Sequence, residues 1–122
     1  MPPEARVYII DDNEIIRHVI RRSATKHGHT IVGEACTRQE AADAISHFTE
    51  QNVQVVTLDA NLTERDGSGK DGRILLAEIR SKAETVTVIG LTSNSEFPGV
   101  DLFVNKKDTH SVLDIGQQIT DL

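Results

Sequence analysis

Five short β-branched runs alternate with segments of helical spacing, and this alternation constrains the fold more than any other feature. The runs are RVYII (6–10), HTIVGEA (29–35), VQVVTL (53–58), TVTVIGL (85–91) and DLFVN (101–105), and each reads as a strand. Between the first two, Ile15, Ile16, Val19, Ile20 and Ala24 repeat as on one helix face, with Gly28 as its stop. Thr37 and Glu40 have capping-box spacing and open a second helix, with Ala41, Ala44, Ile45 and Phe48 on its apolar face. GRILLAEIRSKA (72–83) reads as a third, with Ile74, Leu75, Leu76, Ala77 and Ile79 inward. DTHSVLDIGQQITDL closes the chain as one helix, capped by Asp108 or Thr109 and weakened in its second half by Gly116. The run at 85–91 alternates poorly, as a strand buried on both faces does. Strand–helix alternation of this kind predicts an α/β fold, a doubly wound five-stranded parallel sheet with helices on both faces.

A chain of 122 residues, here read as one domain over 1–122, buries enough surface to need no disulfide. The single Cys36 allows none, suits a reducing compartment, and is expected to be a small core residue. Thirteen basic against nineteen acidic residues give a charge of −6, which argues against a nucleic-acid surface. Aromatic content of 3%, without Trp, argues against base stacking. No apolar run approaches the roughly 20 residues of a membrane span, and MPPEAR lacks the apolar region of a signal peptide. A soluble cytoplasmic protein is expected.

Open parallel sheets bind ligands beyond the carboxyl ends of their strands, where the strand order reverses. The residues there are Asp11 and Asp12 after the first strand, Asp59 after the third, Thr92 after the fourth and Lys106 after the fifth. Three carboxylates on one rim repel one another unless a cation lies among them. A hard divalent ion with oxygen ligands answers that, and Mg²⁺ is the ion expected. Metal, ammonium and hydroxyl together would neutralise the oxygens of a transferring phosphoryl group. An aspartate can itself be the nucleophile, forming an acyl phosphate. Each residue also has a plainer role. Asp11-Asp12-Asn13 is a good helix-capping cluster, Asp59 a loop acid, Thr92 a cap or turn, and Lys106 and Lys107 surface lysines. The joint order is more specific than its parts.

That order, carried by YIIDDNE, VVTLDANL, IGLTS and DLFVNKK, resembles the receiver domain of two-component response regulators over nearly the whole chain. The resemblance implies a flavodoxin-like strand order 2-1-3-4-5. It implies Asp59 as phosphoacceptor, and Asp11 and Asp12 as the acidic pair holding Mg²⁺, with Asp12 the more direct ligand. The backbone carbonyl of Asn61 would join them. Thr92 would be the switch hydroxyl, Lys106 the lysine that contacts the phosphoryl group, and Phe103 the aromatic switch residue. The donor would be a histidine kinase or phosphotransfer protein.

The chain departs from the family pattern in several places. Thr63 and Lys107 stand where prolines are usual, and a cis bond before lysine would be far costlier than before proline, so a rebuilt turn is expected. The segment between Thr92 and Lys106 is short, and SNSEFPGVD reads as a loop turning at Pro98-Gly99. The helix usual there is expected to be absent or reduced to one turn. Two Asp-Gly pairs, Asp66-Gly67 and Asp71-Gly72, compete for one family position, which implies extra residues near GSGKD. Glu64, Asp66 and Asp71 then read as loop acids of an enlarged 63–71 loop rather than site ligands.

Three functions fit these residues. The first is a phosphorylation-controlled signalling switch that is not an enzyme beyond assisting its own phosphorylation and dephosphorylation. The second is a pseudo-receiver, a binding module that is never phosphorylated. The third is a metal-dependent phosphohydrolase resembling the haloacid dehalogenase family. Against the third, Asn13 stands where that family has a second Asp, and no cap segment is present. The five histidines, His18, His27, His29, His47 and His110, have no metal-ligand spacing, and His18 and His27 are placed on a solvated helix face. The kinase and the output are not readable from the residues.

Overall fold

In a computed structural model, residues 4–62, 69–94 and 96–122 are described. The chain runs β1 (Arg6–Ile10), α1 (Glu14–Lys26), β2 (Thr30–Ala35), α2 (Arg38–Ile45), β3 (Val55–Asp59), α3 (Lys70–Lys82), β4 (Thr87–Thr92), β5 (Leu102–Asn105), α4 (Thr109–Leu113) and α5 (Ile115–Thr120). The sheet has the order β2-β1-β3-β4-β5, and every pair is parallel. β3 is buried from end to end, with Val55, Val56 and Leu58 as its apolar residues and Thr57 and Asp59 buried among them.

Alternate residues of each strand feed two cores. Val7, Ile9, Val55, Ile89, Leu91 and Val104 pack with Ile20 and Ala24 of α1, Val112 of α4, and Ile115 and Ile119 of α5. Tyr8, Ile10, Val56, Leu58 and Val88 pack with Ala41 and Ile45 of α2 and Leu75, Leu76 and Ile79 of α3. The order reverses between β1 and β3, so the acids following those strands lie side by side at the switch.

Thr37 and Glu40 cap α2 as their spacing predicts. Thr37 Oγ1 accepts from the Glu40 N–H at 3.1 Å, and Glu40 Oε1 accepts from the N–H of Cys36 at 3.0 Å. That carboxylate also accepts from the Cys36 thiol at 3.0 Å, so Cys36 is partly exposed at the sheet rim and not a core residue. Two helical apolar stripes are narrower than expected. Ile15 is 73% exposed, and Ile74 and Ala77 of α3 also face solvent, because the sheet accommodates only the faces carrying Ile20 and Leu75.

The terminal helix is broken, and the break lies at Asp114 rather than in a weakened second half. Ser23 of α1 causes it. Its hydroxyl donates to Leu113 O at 2.8 Å and accepts from the Gly116 N–H at 2.8 Å, so a side chain replaces two rungs of the helical ladder. Gly116 is needed there, since a Cβ on it would sit 2.2 Å from Ser23 O. Among the described residues, the segment between β4 and β5 holds no helix, only a turn at Pro98-Gly99, with Gly99 at φ +89°. Phe97 fills the space above the sheet instead. It is buried, and a Cβ on Gly90 of β4 or Gly72 of α3 would lie 2.6 or 2.8 Å from its ring.

Candidate functional site

Strand ends position the acids. The Asp11 N–H donates to Ala35 O of β2 at 3.0 Å, which extends the β1–β2 ladder by one residue and turns the acid onto the rim. Asn13 then caps α1, its Oδ1 accepting from the N–H groups of Ile15 and Ile16. Asp59 ends β3 opposite Leu91 of β4, and Ala60 N–H continues the pairing to Leu91 O at 3.0 Å. Thr92 closes β4 opposite Asn105 of β5, and Lys106 N–H donates to Thr92 O at 2.9 Å.

These placements gather four charged groups. Ligand oxygens of Asp11, Asp12 and Asp59 all lie within 4.8 Å of one another. Lys106 Nζ lies 3.0 Å from Asp11 Oδ2 and 3.0 Å from Asp59 Oδ2, bridging two acids from different strands. Asp11 and Asp59 are 1% and 2% exposed, and Asp12 is half-buried. Their inner oxygens, Asp11 Oδ2 and Asp59 Oδ2, are buried without an aligned hydrogen bond among the described residues. The Lys106 contact is therefore mainly one of charge. The outer oxygens are satisfied: Asp11 Oδ1 accepts from Asn13 N–H at 2.8 Å, and Asp59 Oδ1 from Asn61 N–H at 3.1 Å. Two buried anionic oxygens facing one point, with a third carboxylate beside them, form a donor set that suits a small hard cation.

The electrostatics follow from burial. Desolvation, and after it the charge of Asp11, pushes Asp59 up to about 7, against the pull of Lys106. Burial also raises Asp11, again opposed by Lys106. Lys106 itself is held above the ordinary lysine range: burial alone would lower it, and the charges of Asp11 and Asp59 outweigh that.

The other residues singled out in the sequence lie around this centre. Thr92 is 1% exposed, and its Oγ1 accepts from Asn94 N–H at 3.1 Å. Asn61 Oδ1 accepts from Gly69 N–H at 2.7 Å, which ties the start of the β3–α3 connection to the start of α3. Phe103 is outside the acid cluster, half-buried against the core on the α2–α3 side of the sheet. Lys107 is exposed, and its N–H donates to Asn105 Oδ1 at 2.8 Å, a bond proline could not make. No described peptide is cis, so a trans Lys106–Lys107 bond and this hydrogen bond form the local turn.

Asp71 is not a loop acid. It lies in the first turn of α3 and is 5% exposed, with Oδ2 accepting from Leu62 N–H at 3.2 Å and Oδ1 lying 3.5 Å from Arg38. Thr63, Glu64, Asp66 and Gly67, and most of the expected enlargement at 63–71, lie outside the described residues. His29 is buried. Its Nδ1 accepts from Ala5 N–H at 3.0 Å, and its Nε2 faces Gly116 O and Thr120 Oγ1. His27 is half-buried, its Nδ1 2.9 Å from Ser23 O, while His18 is exposed as expected. Sequence reasoning passed over Arg17, whose Nη1 donates to Asp11 O at 2.8 Å. Its only trace in the sequence is helical spacing, four residues past the Asn13 cap.

No helix among the described residues is long and apolar enough to cross a membrane. Known proteins share this family and fold. CheY of Bacillus subtilis is 32% identical over 62 residues, 51% of this chain and 49% of the relative, so the match spans about half the relative's length. CheY of Thermotoga maritima is 27% identical over 85 residues, 70% of this chain and 68% of that one. Among solved structures, a chain of the CheX–CheY–BeF3–Mg²⁺ complex from Borrelia burgdorferi superposes with a TM-score of 0.77 at 20% identity, covering 96% of this chain and 87% of the other. The response regulator domain of Thermotoga maritima CheB gives 0.72 at 21% identity, covering 96% and 91%. These two show a shared fold. The family model of the response regulator receiver domain matches residues 7–109, and the chain belongs to that family.

Proposed function

We propose that the chain, acting as a single receiver domain over 1–122, is a phosphorylation-controlled switch whose acceptor is Asp59. The observation that carries this reading is the bridge from Lys106 Nζ to Asp11 Oδ2 and Asp59 Oδ2, 3.0 Å each, inside a cluster of three carboxylates. A carboxylate oxygen of Asp59 attacks the phosphorus of a phosphohistidine on a histidine kinase or phosphotransfer protein. The P–O bond forms as the donor's P–N bond breaks, and the imidazole leaves with the electron pair. Asp11, Asp12 and Asp59, with the carbonyl of Asn61, would hold Mg²⁺, which supplies charge neutralisation at the phosphoryl oxygens. The Lys106 ammonium, already at Asp59, turns to the incoming phosphoryl oxygens. The Thr92 hydroxyl donates to another, while its oxygen can still accept from the Asn94 N–H. With the phosphoryl group held there, β4 and β5 shift population between two arrangements, and Phe103 carries the change to the surface that binds an output partner.

The domain turns over no external substrate in this reading, and it acts as a cytoplasmic signalling component that binds no nucleic acid directly. Incubation with a small phosphodonor and Mg²⁺, followed by intact mass, tests it. A phosphoryl-sized gain is expected in the wild type and not in Asp59→Asn. No gain in the wild type would favour an unphosphorylated binding module.

A further inference from the structure

The acid pair is held from a direction the site itself does not use. Residue 11 is fixed at three points: its N–H by Ala35 O, its Oδ1 by Asn13 N–H, and its carbonyl by Arg17 Nη1 at 2.8 Å. The last bond matters most for Asp12. The Asp11 carbonyl and the Asp12 nitrogen share one rigid peptide plane, so the direction of that carbonyl sets where the Asp12 side chain begins. Asp12 is the half-buried member of the cluster and has less packing of its own to orient it.

Arg17 is itself held. Its Nε lies 3.4 Å from Glu34 Oε1 on β2, and its side chain is 17% exposed. Arg21, one turn on, takes the other oxygen of Glu34 at 2.5 Å. Glu34 thus balances charge on the outer side of α1, and the fork of Arg17 spans from that carboxylate to the Asp11 carbonyl. A planar guanidinium can do this, and a lysine ammonium cannot present the same two arms.

We propose that Arg17 is a positioning residue for divalent-cation binding, acting through the Asp11 carbonyl to aim Asp12 into the cluster. This rests on the reading of Asp11, Asp12 and Asp59 as a Mg²⁺ site. The proposal has a sign that a purely electrostatic role would reverse. Removing a positive charge that bonds the Asp11 carbonyl should, by charge alone, tighten binding of a cation beside it. Removing a positioning bond should weaken it, and outer partners of metal ligands commonly account for about 10–100-fold in affinity.

The test is a MgCl2 titration of the full chain, followed by the backbone amide NMR shifts of Asn13 and Asn61, with far-UV circular dichroism to confirm the fold. Arg17→Met is expected to bind Mg²⁺ about tenfold or more weakly than wild type. Arg21→Met, which loses the same Glu34 partner but no bond to Asp11, is expected to stay close to wild type. Arg17→Lys keeps charge and stem and guards against a Met variant that fails to fold; it is expected to be weaker than wild type. Affinity equal to or above wild type in the folded Arg17 variants overturns the positioning role while leaving the metal site intact. Absence of any saturable Mg²⁺ shift in the wild type overturns the metal reading itself, and the inference with it.

Discussion

Phe97 lies on Gly90. A Cβ at position 90 would stand 2.6 Å from Phe97 Cδ2 and 2.7 Å from Val100 Cγ1, so the loop between β4 and β5 packs directly onto bare strand backbone. A helix is not needed to cover this part of the sheet, because one buried aromatic ring does so. Gly90→Ala is expected to overpack the contact and destabilise the protein by about 1–3 kcal/mol. Phe97→Ala should cost about 3–5 kcal/mol through the cavity it leaves. Urea unfolding measures both, and unchanged midpoints would mean that the ring does not seal the sheet.

The metal-free protein should lose stability as pH rises. Asp59 titrates at 3.8 in an unfolded chain and at about 7 when folded, so between these values the folded state holds more protons. Stability is then fully present below about pH 4 and declines up to about pH 7. Asp11, also raised, acts in the same direction. A decline of about 1–3 kcal/mol between pH 5 and pH 8 is expected without divalent ion. Asp59→Asn should flatten it and be the more stable protein at pH 8. Thermal unfolding in chelator across this range is the check.

Lys106 opposes that repulsion from within the cluster. Lys106→Met leaves Asp11 and Asp59 facing each other without their cation. Its metal-free stability at pH 8 should fall by about 1–3 kcal/mol, toward the low end for breaking a buried pair because the lysine is 16% exposed. The deficit should shrink at pH 5, where Asp59 holds a proton, and on adding MgCl2. An equal deficit at both pH values would point to lost packing rather than charge.

Gly116→Ala separates helix propensity from packing. Alanine favours a helix over glycine by about 1 kcal/mol. Here its Cβ would meet Ser23 O at 2.2 Å and His27 Nδ1 at 2.5 Å, forcing α5 away from α1. A net loss of about 1–3 kcal/mol is expected in chemical unfolding. A gain would show that α1 and α5 part without cost.

The strand-end acids were legible in the sequence because their chemistry depends on chain order: a strand must stop for an acid to reach the rim, and Asp11, Asp12 and Asp59 each follow an apolar run. Lys106 was legible by its position after the fifth run, and the structure brings it, rather than Lys107, to both acids. What escaped depends on partners far apart in the chain. The break at Asp114 needs the Ser23 hydroxyl, buried His29 needs Ala5 and Gly116, and buried Asp71 needs Leu62 and Arg38. Periodicity reports only a residue's own helix. It also placed Ile15 and Ile74 inward, since apolar identity alone does not say how wide a stripe the sheet will cover.

The central claim is that Asp59 is the phosphoacceptor, and trapping the modified residue tests it most directly. After incubation with a small phosphodonor and Mg²⁺, borohydride reduction converts an aspartyl phosphate to homoserine, which tandem mass spectrometry of the digested chain locates. Homoserine at position 59, dependent on Mg²⁺ and absent in the unphosphorylated control, is the predicted result. Homoserine at Asp11, Asp12 or Asp71 with position 59 unmodified would contradict the account.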